Sequence, residues 1–302
     1  MQENVRVVQG EVELETDSNP NKGDFVRPVG HDSHLGQPII PRNQAINAFN
    51  LAAATTSGLQ RISVYRKLSI GVFATGDELR EPGSTLESGQ IFESNRIAIR
   101  SLLSGLPVTI TDLGILPDDK DATRAALNTA GQRFDALITS GGVSVGDADF
   151  VRHAIQTNGS LDFWRLNLRP GKPFAFGRLH RALIFGLPGN PVSSIVTLLL
   201  LVKPALWYLA GRTIPATAVE GESAYLDVPL AVDVEHQVGR HEFQRASLLR
   251  KGGKTYVQTT SDQSSNRLQS FTNADCLMLL AGDQAHFPAG SLVPVLPFLG
   301  LI

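Results

Sequence analysis

The sequence predicts an α/β domain with a parallel or mixed sheet covered by helices on both faces. A small β-barrel follows it, and a partial α+β region precedes it. Buried-strand runs alternate with helical patterns from Leu68 onward, which is typical of α/β domains. Short strands separated by turn residues recur in the last ninety or so residues. We therefore expect three regions, at 1–67, 68–212 and 213–302.

The first region is predicted to hold two short strands and one helix. The strands are expected over 5–12 and 25–29, separated by a polar loop over 16–23, and the helix over 43–56. The apolar positions on one helix face are Ala45, Ile46, Phe49, Ala52 and Ala53. These elements are too few to enclose a core, which predicts further upstream sequence or a partner chain.

The second region alternates strands and helices. The predicted strands are 68–74, 108–115, 134–139, 161–168, 174–176 and 183–185. The predicted helices are 94–104, 119–129, a third ending near 157, and 191–209. Ser94 and Asp118 are placed to cap the first two helices, and Asp147 or Asp149 begins the third. Pro191 suits the first turn of the last helix.

The third region is predicted to form a small antiparallel sheet or barrel. Its predicted strands are 225–229, 242–249, 255–259, 276–280 and 292–296. In the parallel sheet before it, ligands are expected at the carboxyl ends of the strands. The turns that carry acids and the turn LPGNP follow strands, so they belong to that edge.

Composition and charge exclude several classes of protein. The chain has 302 residues, 42% apolar and 19% charged, which is ordinary for a soluble globular protein. The net charge of −2 argues against non-specific nucleic-acid binding. One cysteine, Cys276, excludes an internal disulfide and fits a reducing compartment. The longest strongly apolar run, 195–202, is shorter than the ~20 residues of a membrane helix. No basic segment precedes an apolar run at the start, so we expect a cytoplasmic protein without a membrane segment.

The glycine-rich turn at 140–146 is the first candidate for an anion site. Its backbone N–H groups can converge on one oxyanion, with the dipole of the next helix added. It is not a Walker loop, because Asp147 stands where a lysine would follow the last glycine. A plain strand-to-helix turn is the alternative, and the glycines alone do not exclude it.

The carboxylates near this turn in the sequence are candidate ligands of a divalent metal ion. Asp118, Asp119, Asp147 and Asp149 all fall at strand-to-helix junctions. Such hard oxygen ligands, opposite a phosphate, suit Mg²⁺ held by one or two carboxylates and substrate oxygens. The alternative is helix capping, which suits Asp118 well.

Two further turns carry groups that suit an oxyanion. The segment RPGKP holds Arg169 and Lys172 on a stiff turn bounded by prolines; a solvated surface turn is the alternative. The segment LPGNPVSS places Ser193 in the first turn of a helix, where a rigid helix start is at least as good an explanation. His31 and His34 form a close pair, but no cysteine or third histidine completes a metal site with them, so we expect solvated loop residues.

Eight motifs occur in one order over residues 24–300. They are ATGDEL (74–79), IFESNR (91–96), DLGILPDD (112–119), TSGGVSVGDAD (139–149), RPGKPFAFG (169–177), LPGNPVSS (187–194), HEFQR (241–245) and QSSNRLQS (263–270). On these motifs the chain resembles the molybdopterin molybdenumtransferases, the molybdenum insertases, which include the C-terminal domain of gephyrin. GGVSVG also occurs in related adenylyltransferases, but the last three motifs favour the transferase.

The resemblance implies a reaction in molybdenum cofactor biosynthesis. Molybdate is inserted into the dithiolene of adenylylated molybdopterin, with Mg²⁺-assisted release of AMP. By their match to the family, the implied catalytic residues are Asp118, Asp149, Glu78 and Lys172, with Asp118 and Asp149 on Mg²⁺. The implied substrate-binding residues are Gly141, Gly142, Ser144, Gly146, Arg169, Pro188, Pro191, Ser193, Arg245, Ser265 and Asp32. The last of these would be contributed across a homodimer interface, and the oxyanion pocket would lie between the two larger domains.

The chain departs from the family pattern at a few positions. Family members usually have Asp where this chain has Glu93, Lys where it has Arg169, and often Gly where it has Ser264. The N-terminal segment of the family is absent, so Met1 is expected to fall within the family's second domain. If translation starts at Met1, we expect weak or no insertase activity.

Two alternatives to the insertase remain open at this point. One is a nucleotidyl or phosphoryl transferase that uses the α/β domain alone, as in the adenylyltransferases, although the barrel motifs argue against it. The other is a non-catalytic scaffold or regulatory paralogue, as gephyrin also assembles other proteins. Besides the small-molecule substrates, the expected partners are a second copy of the chain and the upstream adenylyltransferase.

Overall fold

A computed structural model describes residues 5–14, 21–117, 119–142, 150–213, 225–260 and 262–298. The chain divides into two compact units, Met1–Ser63 and Val64–Ile302. The second unit contains both the α/β domain and the barrel.

The first unit has a hairpin and one helix. Strands β1 (Val5–Val8) and β2 (Glu11–Leu14) pair antiparallel. Gln9 and Gly10 between them have φ of 53° and 87°, the left-handed geometry of a two-residue hairpin turn. Helix α1 (Ala48–Thr56) begins at a capping box, in which Asn47 and Asn50 exchange side chain to backbone bonds of 3.0 Å.

Three sequence-based expectations for this unit are wrong. Residues 5–12 are not one strand, because the turn at Gln9 divides them. Residues 25–29 form turns and irregular backbone, with Phe25 at a φ of 62°. The helix starts later than predicted. Its predicted apolar face is exposed except for the half-buried Ala45, and Ala54 is the buried position of α1.

The second unit begins with the α/β domain. Its strands in chain order are β3 (Leu68–Thr75), β4 (Leu79–Arg80), β5 (Ile91–Phe92), β6 (Val108–Leu116), β7 (Ala136–Ser140), β8 (Gly159–Arg165), β9 (Leu168–Arg169), β10 (Pro173–Leu179) and β11 (Ala182–Leu187). Its helices are α2 (Asn95–Leu103), α3 (Lys120–Arg133), α4 (Phe150–Asn158), α5 (Pro191–Thr197) and α6 (Lys203–Leu209). A π-helical segment, Leu198–Val202, joins α5 to α6.

The main sheet is mixed and has the strand order β6-β3-β7-β11-β10-β8. Strands β6, β3, β7 and β11 are parallel, whereas β10 runs antiparallel to both of its neighbours. Alternate residues point to opposite faces of the sheet. Ile70 and Val72 therefore pack with Ile99 of α2 on one face, while Phe73 packs with Leu127 of α3 on the other. This confirms the predicted sheet with helices on both faces.

Residues 191–209 form a continuous apolar helical segment. It has 19 residues and a mean hydropathy of 1.8, so by length and composition it could cross a membrane. The apolar run of eight residues noted in the sequence is only part of this segment. Core helices have the same properties, and Val192, Val196 and Leu198 are fully buried in the two clusters that this segment helps to form. The segment is thus packed as a core helix of the α/β domain.

The barrel contains the remaining strands. They are β12 (Leu226–Pro229), β13 (Val234–Glu235), β14 (His241–Lys251), β15 (Lys254–Thr259), β16 (Cys276–Leu280), β17 (His286–Phe287) and β18 (Leu292–Pro297). Five of them form one sheet, in the order β12-β18-β16-β14-β15. A bridge between Leu230 and Val257 joins its two ends, which closes the predicted barrel around an apolar core. Strand β9 pairs parallel with β14 and ties the barrel to the α/β domain.

Candidate functional site

The segments that leave β3, β7 and β11 meet at one edge of the sheet. Because these strands are parallel and adjacent, their carboxyl ends fall together. Residues 76–78, 141–142 and 188–190 follow them in that order. The candidate turns predicted from the sequence therefore share an edge, as expected.

The described part of the glycine turn requires glycine at two positions. Gly141 and Gly142 have φ of 87° and 68°. A Cβ at Gly141 would lie 2.6 Å from the backbone oxygen of Thr75, and one at Gly142 would lie 2.6 Å from Cγ2 of Val151. The Gly141 N–H donates to the Leu187 oxygen at 3.1 Å, which joins this turn to the end of β11. Ser144, Gly146, Asp147 and Asp149 lie outside the described residues.

The start of α2 was predicted to be capped by Ser94, and this is wrong. Ser94 makes no side-chain cap bond. The buried carboxylate of Glu93 accepts the N–H groups of Asn95 and Arg96 at 2.7 and 3.1 Å and pairs with the Arg96 Nε at 3.1 Å. Glu93, which is longer than serine and lies one position before Ser94, extends toward the free N–H groups of the first helical turn.

Asn95 is a site-building residue that the sequence analysis missed. Its Nδ2 donates to the Ser140 Oγ at 2.6 Å and to the Gly189 carbonyl at 2.7 Å. One buried amide thus links the end of β7 to the LPGNP turn. The quoted motif IFESNR contained Asn95, but nothing in its spacing indicated which groups the amide would bind.

Arg96 gathers three carboxylates at the outer side of this edge. Its guanidinium binds Asp112 at 2.6 Å, Glu81 at 2.6 Å and Glu93. Burial alone would raise the pKa of Asp112, but the Gly114 N–H and the cations of Arg96 and Arg100 lower it below its ordinary value. Asp112 is therefore fully engaged as a counter-ion.

The acids next to α3 differ from expectation. Asp119 is the N-cap, with its Oδ1 accepting the Ala122 N–H at 2.8 Å, so the prediction that Asp118 caps this helix is wrong. Asp118 lies outside the described residues. Capping consequently explains Asp119 and leaves the predicted metal role of Asp118 untested. Among the residues that the structure describes, no group of three or more potential metal ligands lies together.

Glu78 is an exposed carboxylate at the same edge. It folds back toward Gly76, where a Cβ would lie 2.7 Å from the Glu78 Oε2. Gly76 has a φ of 147°, and the absent side chain leaves room for this carboxylate. Glu78 thus stays accessible to a ligand at the end of β3.

The RPGKP turn holds two accessible cations on a packed backbone. Arg169 is half exposed and Lys172 is exposed, while Pro170 and Gly171 between them are buried. Gly171 has a φ of 121°, and a Cβ there would lie 2.6 Å from Cγ2 of Thr197 and 3.9 Å from the Ser193 oxygen. The turn therefore lies directly on α5.

The barrel reaches the same helix through Ser265. The Val192 N–H donates to the Ser265 oxygen at 3.1 Å, and the Asn190 Nδ2 donates to the Ser265 Oγ at 3.1 Å. Ser193 in this first turn is buried. The two prolines predicted here differ in exposure, since Pro188 is buried and Pro191 is half-buried at the start of α5.

Arg245 lies beneath the loop that carries Ser265. It is 1% exposed, and its guanidinium donates to the Ser270 Oγ at 3.1 Å and to the carbonyls of Asp262 and Ser264 at 3.1 and 3.2 Å. Burial lowers the pKa of the Arg245 guanidinium, and the charges of Asp262 and Glu242 oppose that shift. In this structure Arg245 holds the 262–270 loop in place, and its contact with substrate, which the resemblance implies, stays a prediction.

The remaining predicted residues lie elsewhere. Asp32 is exposed in the first unit, as are His31 and His34. Cys276 is buried in the barrel core, and its Sγ–H donates to the Ala246 oxygen at 3.3 Å. Cys276 is thus a residue of the barrel core.

Comparison with known proteins identifies the family. Residues 71–207 match the family described as "Probable molybdopterin binding domain", and residues 227–298 match "MoeA C-terminal region (domain IV)". The molybdopterin molybdenumtransferase of Haemophilus influenzae is 34% identical over 98% of this chain and 74% of its own length. The molybdenum cofactor synthesis protein cinnamon of Drosophila melanogaster is 34% identical over 91% of this chain and 45% of its own length.

The fold agrees with these matches. The crystal structure of a molybdopterin biosynthesis MoeA protein from Pyrococcus horikoshii superposes with a TM-score of 0.71, covering 98% of this chain and 70% of that one at 24% identity. Both larger domains of the chain thus match in sequence, and the whole chain matches in fold. The chain belongs to the molybdopterin molybdenumtransferase family, whose members are transferases of molybdenum cofactor biosynthesis.

Proposed function

We propose that this chain inserts molybdate into adenylylated molybdopterin, with Mg²⁺-dependent release of AMP. The observation that carries the proposal is the meeting of two turns on α5. The RPGKP turn with its two accessible cations packs on this helix, and Ser265 of the barrel binds its first turn. We call the junction of the RPGKP turn, the first turn of α5 and the Ser265 loop the seam. The fixed cations, the hydroxyl and the helix N-terminus at this seam suit a tetrahedral dianion such as molybdate.

We assign the oxyanion and the phosphate of the substrate to two different parts of this edge. Arg169 and Lys172 offer a forked and a point-like cation to the oxyanion. We assign Pro188, Pro191 and Ser193, before and in the first turn of α5, as further substrate contacts, and Arg245 holds the loop that carries Ser265. The glycine turn at 140–146 would hold the phosphate side, since its first two glycines have the backbone geometry that such a turn needs.

Mg²⁺ fits the type of donor that Glu78 provides at this edge and that Asp118 and Asp149 would add by their positions in the sequence. Asp118 follows β6 and Asp149 precedes α4 in the chain, and Glu78 is an accessible carboxylate at the end of β3. Mg²⁺ prefers such oxygen ligands and commonly takes one or two carboxylates together with substrate phosphate. Bound there, it would stabilise negative charge on the departing AMP. We assign Asp118 and Asp149 as its ligands and Glu78 as a further catalytic acid.

The assembly belongs to the proposal as well. We propose a cytoplasmic homodimer in which Asp32 contributes to the site of the second copy, and which receives its substrate from the upstream adenylyltransferase. Light scattering coupled to gel filtration measures the mass in solution. A monomer of 32.5 kDa at all concentrations would contradict the dimer and the role of Asp32.

AMP release tests the reaction. Purified protein is mixed with adenylylated molybdopterin, Mg²⁺ and molybdate, and AMP is quantified with and without molybdate. We expect release that depends on molybdate, reduced at least about tenfold by Lys172→Ala or Asp149→Ala. Lys254→Ala, which changes an exposed lysine of the barrel, is the matched control and should leave the rate unchanged.

Two results would replace the proposal by an alternative. Absence of molybdate-dependent AMP, with substrate still bound, would favour a scaffold or regulatory protein. Formation of adenylylated molybdopterin from ATP and molybdopterin would favour an adenylyltransferase-like activity. The contacts of Ser265 with α5 support the insertase over the latter, because they build the barrel into the seam.

A further inference from the structure

A buried carboxylate, Glu242, lies behind the accessible guanidinium of Arg169. Its Oε1 is 3.5 Å from the Arg169 Nε, and its Oε2 is 3.6 Å from the His236 Nε2. The side chain of Glu242 is 7% exposed and that of His236 is 1% exposed, whereas that of Arg169 is 47% exposed. The carboxylate therefore faces the protein interior and the guanidinium faces solvent.

Strand pairing fixes this arrangement. Glu242 of β14 is the register partner of Arg169 in β9, and paired residues of neighbouring strands have their side chains side by side. The pair thus stands where the barrel joins the α/β domain. Glu242 is not one of the residues that the sequence motifs assigned to the site.

His236 is a second, buried neighbour of Glu242. Its Nδ1 lies 3.1 Å from the Gln284 oxygen and its Nε2 lies 3.1 Å from the Arg240 oxygen. Both separations from Glu242 exceed ordinary hydrogen-bond lengths, so this carboxylate acts on its neighbours through its charge.

We propose that Glu242 is an internal counter-anion of Arg169 that limits the affinity of the site for molybdate. This rests on the proposed role of Arg169 in binding the oxyanion. A dianion at the outer side of the guanidinium and a carboxylate at its inner side repel each other, and burial of Glu242 weakens solvent screening. Moderate binding suits an oxyanion that has to be transferred, because tight ground-state binding does not accelerate a reaction.

Calorimetric titration with sodium molybdate tests the inference in four proteins, namely wild type, Glu242→Gln, Arg169→Ala and the double variant. Glutamine keeps the size of the side chain and an acceptor oxygen but removes the charge. We expect Glu242→Gln to lower the Kd about tenfold, because one like charge is removed close to the bound dianion. In the Arg169→Ala background the same change should alter the Kd less than about threefold, because without that guanidinium the dianion is no longer held close to position 242.

The outcomes separate this inference from the proposed function. A Kd that rises or stays constant in Glu242→Gln, while Arg169→Ala weakens binding, would overturn the inference alone. A Kd unaffected by Arg169→Ala would overturn both the inference and the proposed role of Arg169. A general loss of structure weakens binding, so a tighter complex is a readout that mere damage cannot produce.

A second variant and a matched control complete the design. Glu242→Asp keeps the charge but withdraws it by one methylene from Arg169, and should lower the Kd about two- to threefold. If Glu242→Gln does not fold, an unchanged or higher Kd in Glu242→Asp would overturn the inference by itself. Glu235→Gln removes a carboxylate of the same barrel that is 79% exposed and paired with His286, and should leave the Kd unchanged.

Discussion

Replacing Gly141 by alanine tests whether the described half of the glycine turn is built as the structure indicates. Gly141 has a φ of 87°, and a residue with a Cβ pays about 1–2 kcal/mol to adopt that left-handed conformation. The new Cβ would also lie 2.6 Å from the backbone oxygen of Thr75. That oxygen belongs to the central strand β3 and cannot swing aside, so the contact adds on the order of 1–3 kcal/mol.

Together these terms predict a loss of about 3 kcal/mol in the free energy of unfolding of residues 64–302. For a domain of this size the loss corresponds to a decrease of about 6–12 °C in Tm. Both tryptophans of the chain lie in this unit, so thermal unfolding followed by tryptophan fluorescence reports on it directly. We also expect the variant to lose at least about tenfold in AMP release, because the anion-binding backbone is displaced.

Gly189→Ala is the matched control. Gly189 lies in the neighbouring turn at the same edge, but a Cβ there would meet its nearest atom, the Gly141 Cα, at 3.9 Å. That is ordinary van der Waals contact, so the Tm should change by less than about 2 °C. Equal Tm values for Gly141→Ala and wild type, or equal losses in the two variants, would refute the geometry described for the turn.

Three further predictions concern the packing around the site. Asn95→Ala leaves Ser140 without its amide donor and should cost about 2–3 kcal/mol in urea denaturation. Hydrogen bonding to Arg66 holds the pKa of Asp135 well below its ordinary value. The stabilisation by the ionised Asp135 is therefore present above pH ~4 and is lost as the pH falls. The difference in the free energy of unfolding between wild type and Asp135→Asn should narrow from pH 6 to pH 3. Burial raises the pKa of the Cys276 thiol to about 12, so a disulfide reagent at pH 8 should modify it only after unfolding.

The fold could be predicted from the sequence because its signals are local. The strand predicted at 276–280 has those bounds in the structure, and the long helix begins at Pro191 as expected. Alternation of apolar runs with helical patterns fixed the α/β class without any knowledge of contacts. The hairpin of the first unit was missed because Gln9, which takes a left-handed conformation before Gly10, gives no compositional signal of a turn.

The helix caps could not be predicted to the residue. Asp118 and Asp119 are adjacent acids, and which of them caps α3 depends on where the backbone turns from extended to helical. At α2 the expected short cap, Ser94, makes no side-chain cap bond, because Glu93 accepts the free N–H groups and pairs with Arg96 at the same time. Sequence patterns identify candidate caps by residue type, whereas the residue that caps a helix is the one whose side chain can reach the free N–H groups.

Roles at the seam required the tertiary structure. The quoted motifs supplied both Arg169 and Arg245 as cations for one oxyanion. In the structure Arg169 is half exposed, whereas Arg245 of β14 is buried and donates to three groups of the 262–270 loop. Residue type and spacing cannot distinguish an arginine that offers donors to a ligand from one whose donors are used by carbonyls. Ser264 is bound through its backbone, since its N–H donates to the Asp262 Oδ1 at 2.8 Å and its carbonyl accepts from the Arg245 Nη2 at 3.2 Å. Such bonds do not depend on the side chain at position 264.

The resemblance implies an aspartate at position 93, and the neighbours of Glu93 indicate what the longer acid does there. Glu93 accepts two N–H groups of α2 and pairs with Arg96, and the residue between them, Asn95, ties Ser140 to Gly189. The acid at this position therefore sets where the α2 helix starts and, through Asn95, how the glycine turn and the LPGNP turn face each other. Buried and fully bonded, Glu93 has no lone pair directed to a ligand comparable with that of the exposed Glu78. We infer that acidity at position 93 maintains the edge on which the chemistry takes place, and that a longer side chain is acceptable there because the charge and the N–H contacts are kept.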